Sequence, residues 1–256
     1  MEHASKVILI TGASSGIGEA TARFLAAQGH RVILGARRVE QLVTLASAIR
    51  AAGGIADVAR LDVTSMESMT AFADFALDCH GQIDVLINNA GVMPLSKIDA
   101  LKIDEWNQMI DVNIRGVLHG IAAVLPGMQT RGSGQIINIA SIGAYAVSPT
   151  AAVYCATKFA VAAITEGLRQ EVGGAIRVTL VSPGVVESDL AESISDPAAR
   201  EAMRDFRKVA IKPEAIARAI GFAIDQPADV DVSELIVRPT ASPYRGGFTV
   251  VITPGS

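Results

Sequence analysis

At 256 residues, half of them hydrophobic and only 4% aromatic, the chain is sized for one α/β unit whose core is layered from Ala, Val, Ile and Leu. A formal net charge of −4 excludes a surface built to neutralise nucleic acid or to dock on anionic lipid. Cys79 and Cys155 stand outside any CxxC pattern, and His3, His30, His80 and His119 lack metal-ligand spacing, so neither a disulfide framework nor a metal site is expected.

Seven short apolar runs bounded by Gly, Asn, Asp or Ser lie at 6–11, 31–36, 55–61, 83–88, 134–140, 176–182 and 233–238, and they read as buried strands. Between them, 16–28, 39–52, 65–79, 104–127, 152–172 and 213–226 carry helical periodicity. Such alternation predicts a Rossmann-type, doubly wound, seven-stranded parallel sheet with helices on both faces, forming a single domain over 1–239. Asp104 and Ser65 are candidate helix caps, and Pro213 suits a first turn. Residues 185–212 lack a clear strand and read as a substrate lid or a surface excursion. A Pro- and Gly-rich tail follows at 240–256, native or appended. The first apolar run begins too early to leave room for a signal peptide, and no apolar stretch approaches the ~20 residues of a spanning helix. A cytoplasmic protein is the expectation.

The first strand-to-helix turn reads Thr11-Gly12-Ala13-Ser14-Ser15-Gly16-Ile17-Gly18. Gly12 permits a sharp exit from the strand, Gly16 lets a pyrophosphate approach, and Gly18 lets the helix pack close to the sheet. Glycines also serve any tight turn, so position in the first βα unit strengthens the reading. After the second strand stand Arg37 and Arg38, where binding of unmodified ribose would call for an acidic residue. A guanidinium pairs with a 2′-phosphate, which predicts NADP(H), with Arg37 the better candidate. The alternative is a pair of solvated surface charges. Strand ends at Asp62-Val63 and at Asn89-Ala90-Gly91 converge on the same crevice, as adenine and backbone contacts or as ordinary turn chemistry.

Tyr154 and Lys158 are four residues apart on one predicted helix, and Ser141 ends the preceding strand. Carbonyl reduction needs a phenol to donate a proton, a cation to lower its pKa from ~10 and a hydroxyl to polarise the substrate oxygen.

The set TGASSGIG, NNAG, Asn113, Ser141, Tyr154-x3-Lys158 and Pro183-Gly184 resembles the short-chain dehydrogenase/reductase family in its compact form, over about 6–239. The resemblance implies that Tyr154 is the general acid/base and that Lys158 binds nicotinamide ribose. It also implies that Ser141 orients the carbonyl and that Asn113 holds a water in the proton path. Pro183, Gly184, Val186 and Ser188 would lie beside the nicotinamide; family members often carry threonine where Ser188 stands. Arg37 matches the family's NADP pattern, and a homo-oligomer, tetramer or dimer, would form through 104–127 and 152–172.

Ile142, Val147, Met93, Val185 and Leu190 then make an apolar substrate wall with Ser141 and Tyr154, suited to a ketone. A small 3-hydroxy acid is the alternative, with Arg200, Arg204 or Arg207 as its cation. The remaining rival is a regulator that binds NADP(H) without turnover. An extended epimerase would carry a larger carboxy-terminal region, and enoyl reductases of this fold space tyrosine and lysine more widely.

Overall fold

The computed structural model describes residues 5–188, 190 and 194–241, apart from the side chains at 198, 202, 205 and 206. His3 and most of the expected tail lie outside the described residues. All seven predicted strands form: β1 Val7–Thr11, β2 Arg31–Ala36, β3 Ile55–Arg60, β4 Val85–Asn88, β5 Gly134–Ile139, β6 Ile176–Pro183 and β7 Glu234–Val237. They build one parallel sheet in the order β3-β2-β1-β4-β5-β6-β7. Winding reverses between β1 and β4, and at that switch point the strand ends leave a crevice.

The sheet is covered on both faces, which is why its central strands read as unbroken apolar runs. Side chains alternate between the two layers. Val7, Leu9, Ile33, Leu86, Ile136 and Val178 join one core cluster, while Ile8, Ile10, Val32, Leu34, Ile87 and Ile137 join the other. Helices α1 Gly16–Ala27, α2 Val39–Ala51 and α8 Pro213–Ile224 pack on the second layer through Leu25, Leu42 and Ile220. Helices α3 Met66–His80, α5 Gly116–Arg131 and α6 Ala152–Glu171 cover the first through Phe72, Ile121 and Val161. Ser65 caps α3, its hydroxyl accepting from Ser68 N at 3.1 Å. Ser65→Ala should therefore lower stability by about 1 kcal/mol in urea unfolding. Pro213 opens α8 as expected, whereas Asp104 falls inside a first turn that starts after Lys102.

The helix expected over 104–127 is longer and interrupted. It comprises α4 Ile103–Ile110, a π turn at Asp111–Arg115 and α5. Contrary to the sequence expectation, Ile103–Arg131 is long and apolar enough by length and composition to cross a membrane. Its Val112, Val117, Ile121, Val124 and Met128 are buried against the sheet layer, as a core helix requires. Residues 185–212 contain α7 Pro197–Phe206, a 3-10 turn at Arg207–Val209 and a bridge from Val186 to Ile211.

Candidate active site

A cleft of about 670 Å³ opens at the strand ends, a size suited to a large organic ligand. The glycine turn forms one end. Gly12 and Gly16 have positive φ values of 67° and 58°. A Cβ on Gly12 would meet Ala90 Cα at 2.7 Å, and one on Gly18 would meet Gly12 O at 2.5 Å. Only glycine fits there, so the turn brings bare backbone and the start of α1 to the cleft, an anion cradle. Ser14, Ser15, Gly16 and Ile17 line it, while Gly18 lies beneath as a packing residue.

Asn89 serves this turn rather than facing a ligand alone. Its Nδ2 donates to Thr11 O at 2.9 Å and to Gly12 O at 3.1 Å. The Asn89 and Ala90 N–H groups both donate to Thr11 Oγ1 at 3.0 Å. Sequence reasoning that left Asn89 between turn chemistry and cofactor contact is thus answered by a clamp on the glycine turn, at a position that also lines the cleft.

At the rim, Arg37 and Arg38 are exposed and both line the cleft. Arg38, not Arg37, is held against the turn: it donates to Ser14 Oγ at 3.0 Å and Ser15 Oγ at 2.7 Å. Asp62 and Val63 line the same end. Two bonds from Thr64 to Asp62 Oδ1, the side-chain one at 2.7 Å, outweigh partial burial and hold that carboxyl below its usual range, with Arg37 and Arg60 adding to the effect.

The other end carries Ser141, Tyr154 and Lys158, all lining the cleft with Gly91, Pro183, Gly184, Val186 and Ser188. Tyr154 and Lys158 project from the same face of α6, with Lys158 Nζ 5.9 Å from the phenol ring centroid. Nζ donates to Ile139 O at 2.9 Å, which anchors the ammonium at the end of β5. Burial pushes the Tyr154 phenol up to about 12, a hydrogen bond with Ser141 pulling the other way. Burial also pushes Lys158 down to about 8. The acidifying effect expected from the Lys158 ammonium is not among the influences on the phenol, of which desolvation of Tyr154 itself is the largest.

Asn113 does not line the cleft. It is buried in the π turn, its Oδ1 accepting from Val92 N at 2.9 Å and its Nδ2 donating to Val92 O at 3.0 Å and Thr157 Oγ1 at 3.1 Å. Thr157 Oγ1 in turn donates to Tyr154 O at 2.7 Å. Asn113 thus fastens the loop after β4 to the first turns of α6.

Ile142, Met93, Val185 and Leu190 line the cleft, but Val147 is 64% exposed and outside it. The chain turns through Ile142–Ala144, points Tyr145 inward and leaves Val147 in solvent. Tyr145, Leu95 and Met203, within the segments 142–147, 93–95 and 185–210 expected to supply the wall, line the cleft too, whereas Ser148, Cys155 and Arg238 on the wall lie outside those segments. Of the three arginines considered for an acid, Arg207 lines the cleft and donates to Ser188 O, whereas Arg200 and Arg204 do not line it. Among the described residues no cluster of three or more His, Cys, Asp or Glu is placed to hold a metal.

The family model for short chain dehydrogenase matches residues 6–199. An uncharacterized oxidoreductase of Staphylococcus saprophyticus is 50% identical over 239 residues, 92% of this chain and 96% of its own. An alcohol dehydrogenase from the archaeon Thermococcus sibiricus, complexed with 5-hydroxy-NADP, superposes with a TM-score of 0.85 at 32% identity, covering 96% of this chain and 100% of that one. The closed form of a serine dehydrogenase complexed with NADP+ gives 0.86 at 32%, covering 94% and 98%. A short chain dehydrogenase/reductase from Burkholderia phymatum in complex with NAD gives 0.85 at 28%, covering 92% and 90%. With a family model spanning most of the chain and a relative identical at half its positions, this oxidoreductase belongs to the short chain dehydrogenase family.

Proposed function

We propose that the protein is an NADP(H)-dependent reductase of ketones, or in reverse a secondary-alcohol dehydrogenase, with Tyr154 as general acid/base. One observation carries this reading: a half-buried phenol and a buried ammonium share a cleft with a glycine turn whose rim holds two arginines. The cradle that a Cβ would fill at Gly12 and Gly18 suits a dinucleotide's pyrophosphate, and Ser14, Arg37 and Arg38 suit a 2′-phosphate. Such a cofactor supplies a hydride to the carbonyl carbon. The chain's own residues do the rest. Ser141 Oγ orients the substrate oxygen, and Tyr154 Oη delivers a proton to it as charge develops. Lys158 holds positive charge beside that oxygen, and Pro183, Gly184 and Ser188 form the wall that fixes the cofactor's reactive ring. Because the Asn113 side chain is engaged on Val92 and Thr157, its main-chain carbonyl in the π turn is the group to hold a relay water.

A second reading, oxidation of a small 3-hydroxy acid, draws on Arg207 and Arg238 at the substrate end and on the serine dehydrogenase neighbour, serine being such an acid. Residues 185–212 act as the lid in either reading. Half-exposed apolar side chains on α4 to α6, Ile103, Ile110, Leu118 and Phe159, suit a homo-oligomer built through those helices. The thiols Cys79 and Cys155 suit a reducing, cytoplasmic setting.

Absorbance at the reduced nicotinamide band tests the assignment, read as its loss with NADPH or NADH and ketones and as its gain with NADP+ or NAD+ and 3-hydroxy acids. NADPH is expected to give the higher kcat/KM, with ketones ahead of acids. A preference for NADH overturns the cofactor assignment, and stoichiometric NADPH binding without turnover across the panel makes the protein a regulator.

A further inference from the structure

Among the described residues two tyrosines line the cleft, and the chemistry proposed above uses only Tyr154. Tyr145 closes the 3-10 turn that Ser141 opens, its N–H donating to Ile142 O at 3.1 Å. The turn is held locally: Ser141 Oγ accepts from Gly143 N at 3.1 Å, and a Cβ on Gly143 would stand 3.3 Å from Cys155 Sγ on α6. The Tyr145 ring is therefore a short, stiff extension of the segment that presents the catalytic serine.

Its hydroxyl points away from the reacting groups. Oη lies 2.7 Å from Ser182 Oγ on β6 and donates to Glu234 Oε1 on β7. Ser182 is fully buried and immediately precedes Pro183-Gly184, the loop of the opposite wall. A proton directed at the Glu234 carboxylate is not available to substrate, so Tyr145 is no second acid. What it does instead is join the serine turn to the two strands that carry the facing wall.

We propose that Tyr145 is a positioning residue, its hydroxyl tethered to Ser182 and Glu234 so that the turn keeps Ser141 Oγ aimed at the substrate oxygen beside Tyr154. This inference rests on the role given to Ser141 above. Small displacements of a polarising hydroxyl translate into large rate losses because the reacting geometry is narrow.

The test is a double-mutant cycle on Tyr145→Phe and Ser141→Ala. Tyr145→Phe alone is expected to lower kcat about tenfold while the Kd for NADPH stays unchanged, with a small drop in melting temperature as the buried Ser182 loses this partner. Combined with Ser141→Ala it should add no further loss, because it acts through the serine. Multiplying losses, or wild-type kcat in Tyr145→Phe, overturns the tether. So does a parallel loss of NADPH affinity, the mark of a merely structural role. If Tyr145→Phe fails to fold, Glu234→Ala, at an exposed edge position, should reproduce the kcat loss, and Glu234→Gln, which keeps an acceptor oxygen, should restore most of it. Wild-type kcat in Glu234→Ala overturns the tether as well. Full activity in Ser141→Ala removes the serine's role and the tether with it. Loss in Ser141→Ala with none in Tyr145→Phe removes the tether alone.

Discussion

Tyr154→Phe is expected to lower turnover by about three orders of magnitude while NADPH still binds. The substitution deletes one oxygen and leaves the ring, so the wall of the cleft keeps its shape. What disappears is the proton donor and the partner of Ser141. Lys158 stays anchored on Ile139 O, and the cradle at Gly12 to Gly18 is untouched, which is why cofactor affinity should persist. Isothermal titration with NADPH beside steady-state kinetics checks both halves. Retention of most activity would remove Tyr154 as the donor.

The same two groups set the pH profile. A phenol pushed up to about 12 is protonated throughout the neutral range, so the acid for reduction is loaded there. The ammonium of Lys158, pushed down to about 8, is charged below that value and loses its charge as pH rises through it. The sign follows: kcat/KM for carbonyl reduction, which reports the free enzyme, should be flat from pH 6 to 7 and fall above about 8. Lys158→Arg, which remains charged, should shift that fall upward.

The parallel sheet was legible because strands buried on both faces leave unbroken apolar runs, and β1 is buried at all five of its positions. Gly12, Gly16 and Gly18 were legible because each answers a backbone demand, positive φ or close approach. The π turn was not: Asp111 to Arg115 contains neither proline nor glycine, and its cause is tertiary, the grip of Asn113 on Val92 and Thr157. Val147 reads as part of the wall because it is apolar and lies in the 142–147 segment, yet Tyr145, Ala146 and Ser148 line the cleft while Val147 is left outside it. Arg238 escaped notice because nothing in the local pattern shows that β7 ends against Gly184, where the Arg238 Cα would stand 3.3 Å from an added Cβ. Motif spacing thus reveals the groups that must be of one type. Walls assembled from distant strands reveal themselves only in three dimensions.

Replacing both rim arginines, Arg37→Asp with Arg38→Ala, is expected to lower kcat/KM with NADPH by about two orders of magnitude and to raise it with NADH. The double change is needed because the two side chains divide the work. Arg38 is already fixed on Ser14 and Ser15 by bonds of 3.0 and 2.7 Å, a preorganised donor pair beside the glycine turn. Arg37 is near enough to Asp62 for its charge to help hold that carboxylate ionised. An aspartate at 37 brings a carboxylate to the end of β2, which accepts bonds from ribose hydroxyls and repels a 2′-phosphate. Both arginines are exposed, so their pull on the phosphate is screened by salt, over a length of about 10 Å at 0.1 M. The wild-type preference for NADPH should consequently narrow as ionic strength rises, while the NADH rate changes little. A double variant that keeps the wild-type NADPH to NADH ratio, at low salt and with unchanged Tyr154 chemistry, would show that the rim charges are solvated bystanders and that the cofactor is chosen elsewhere in the cleft.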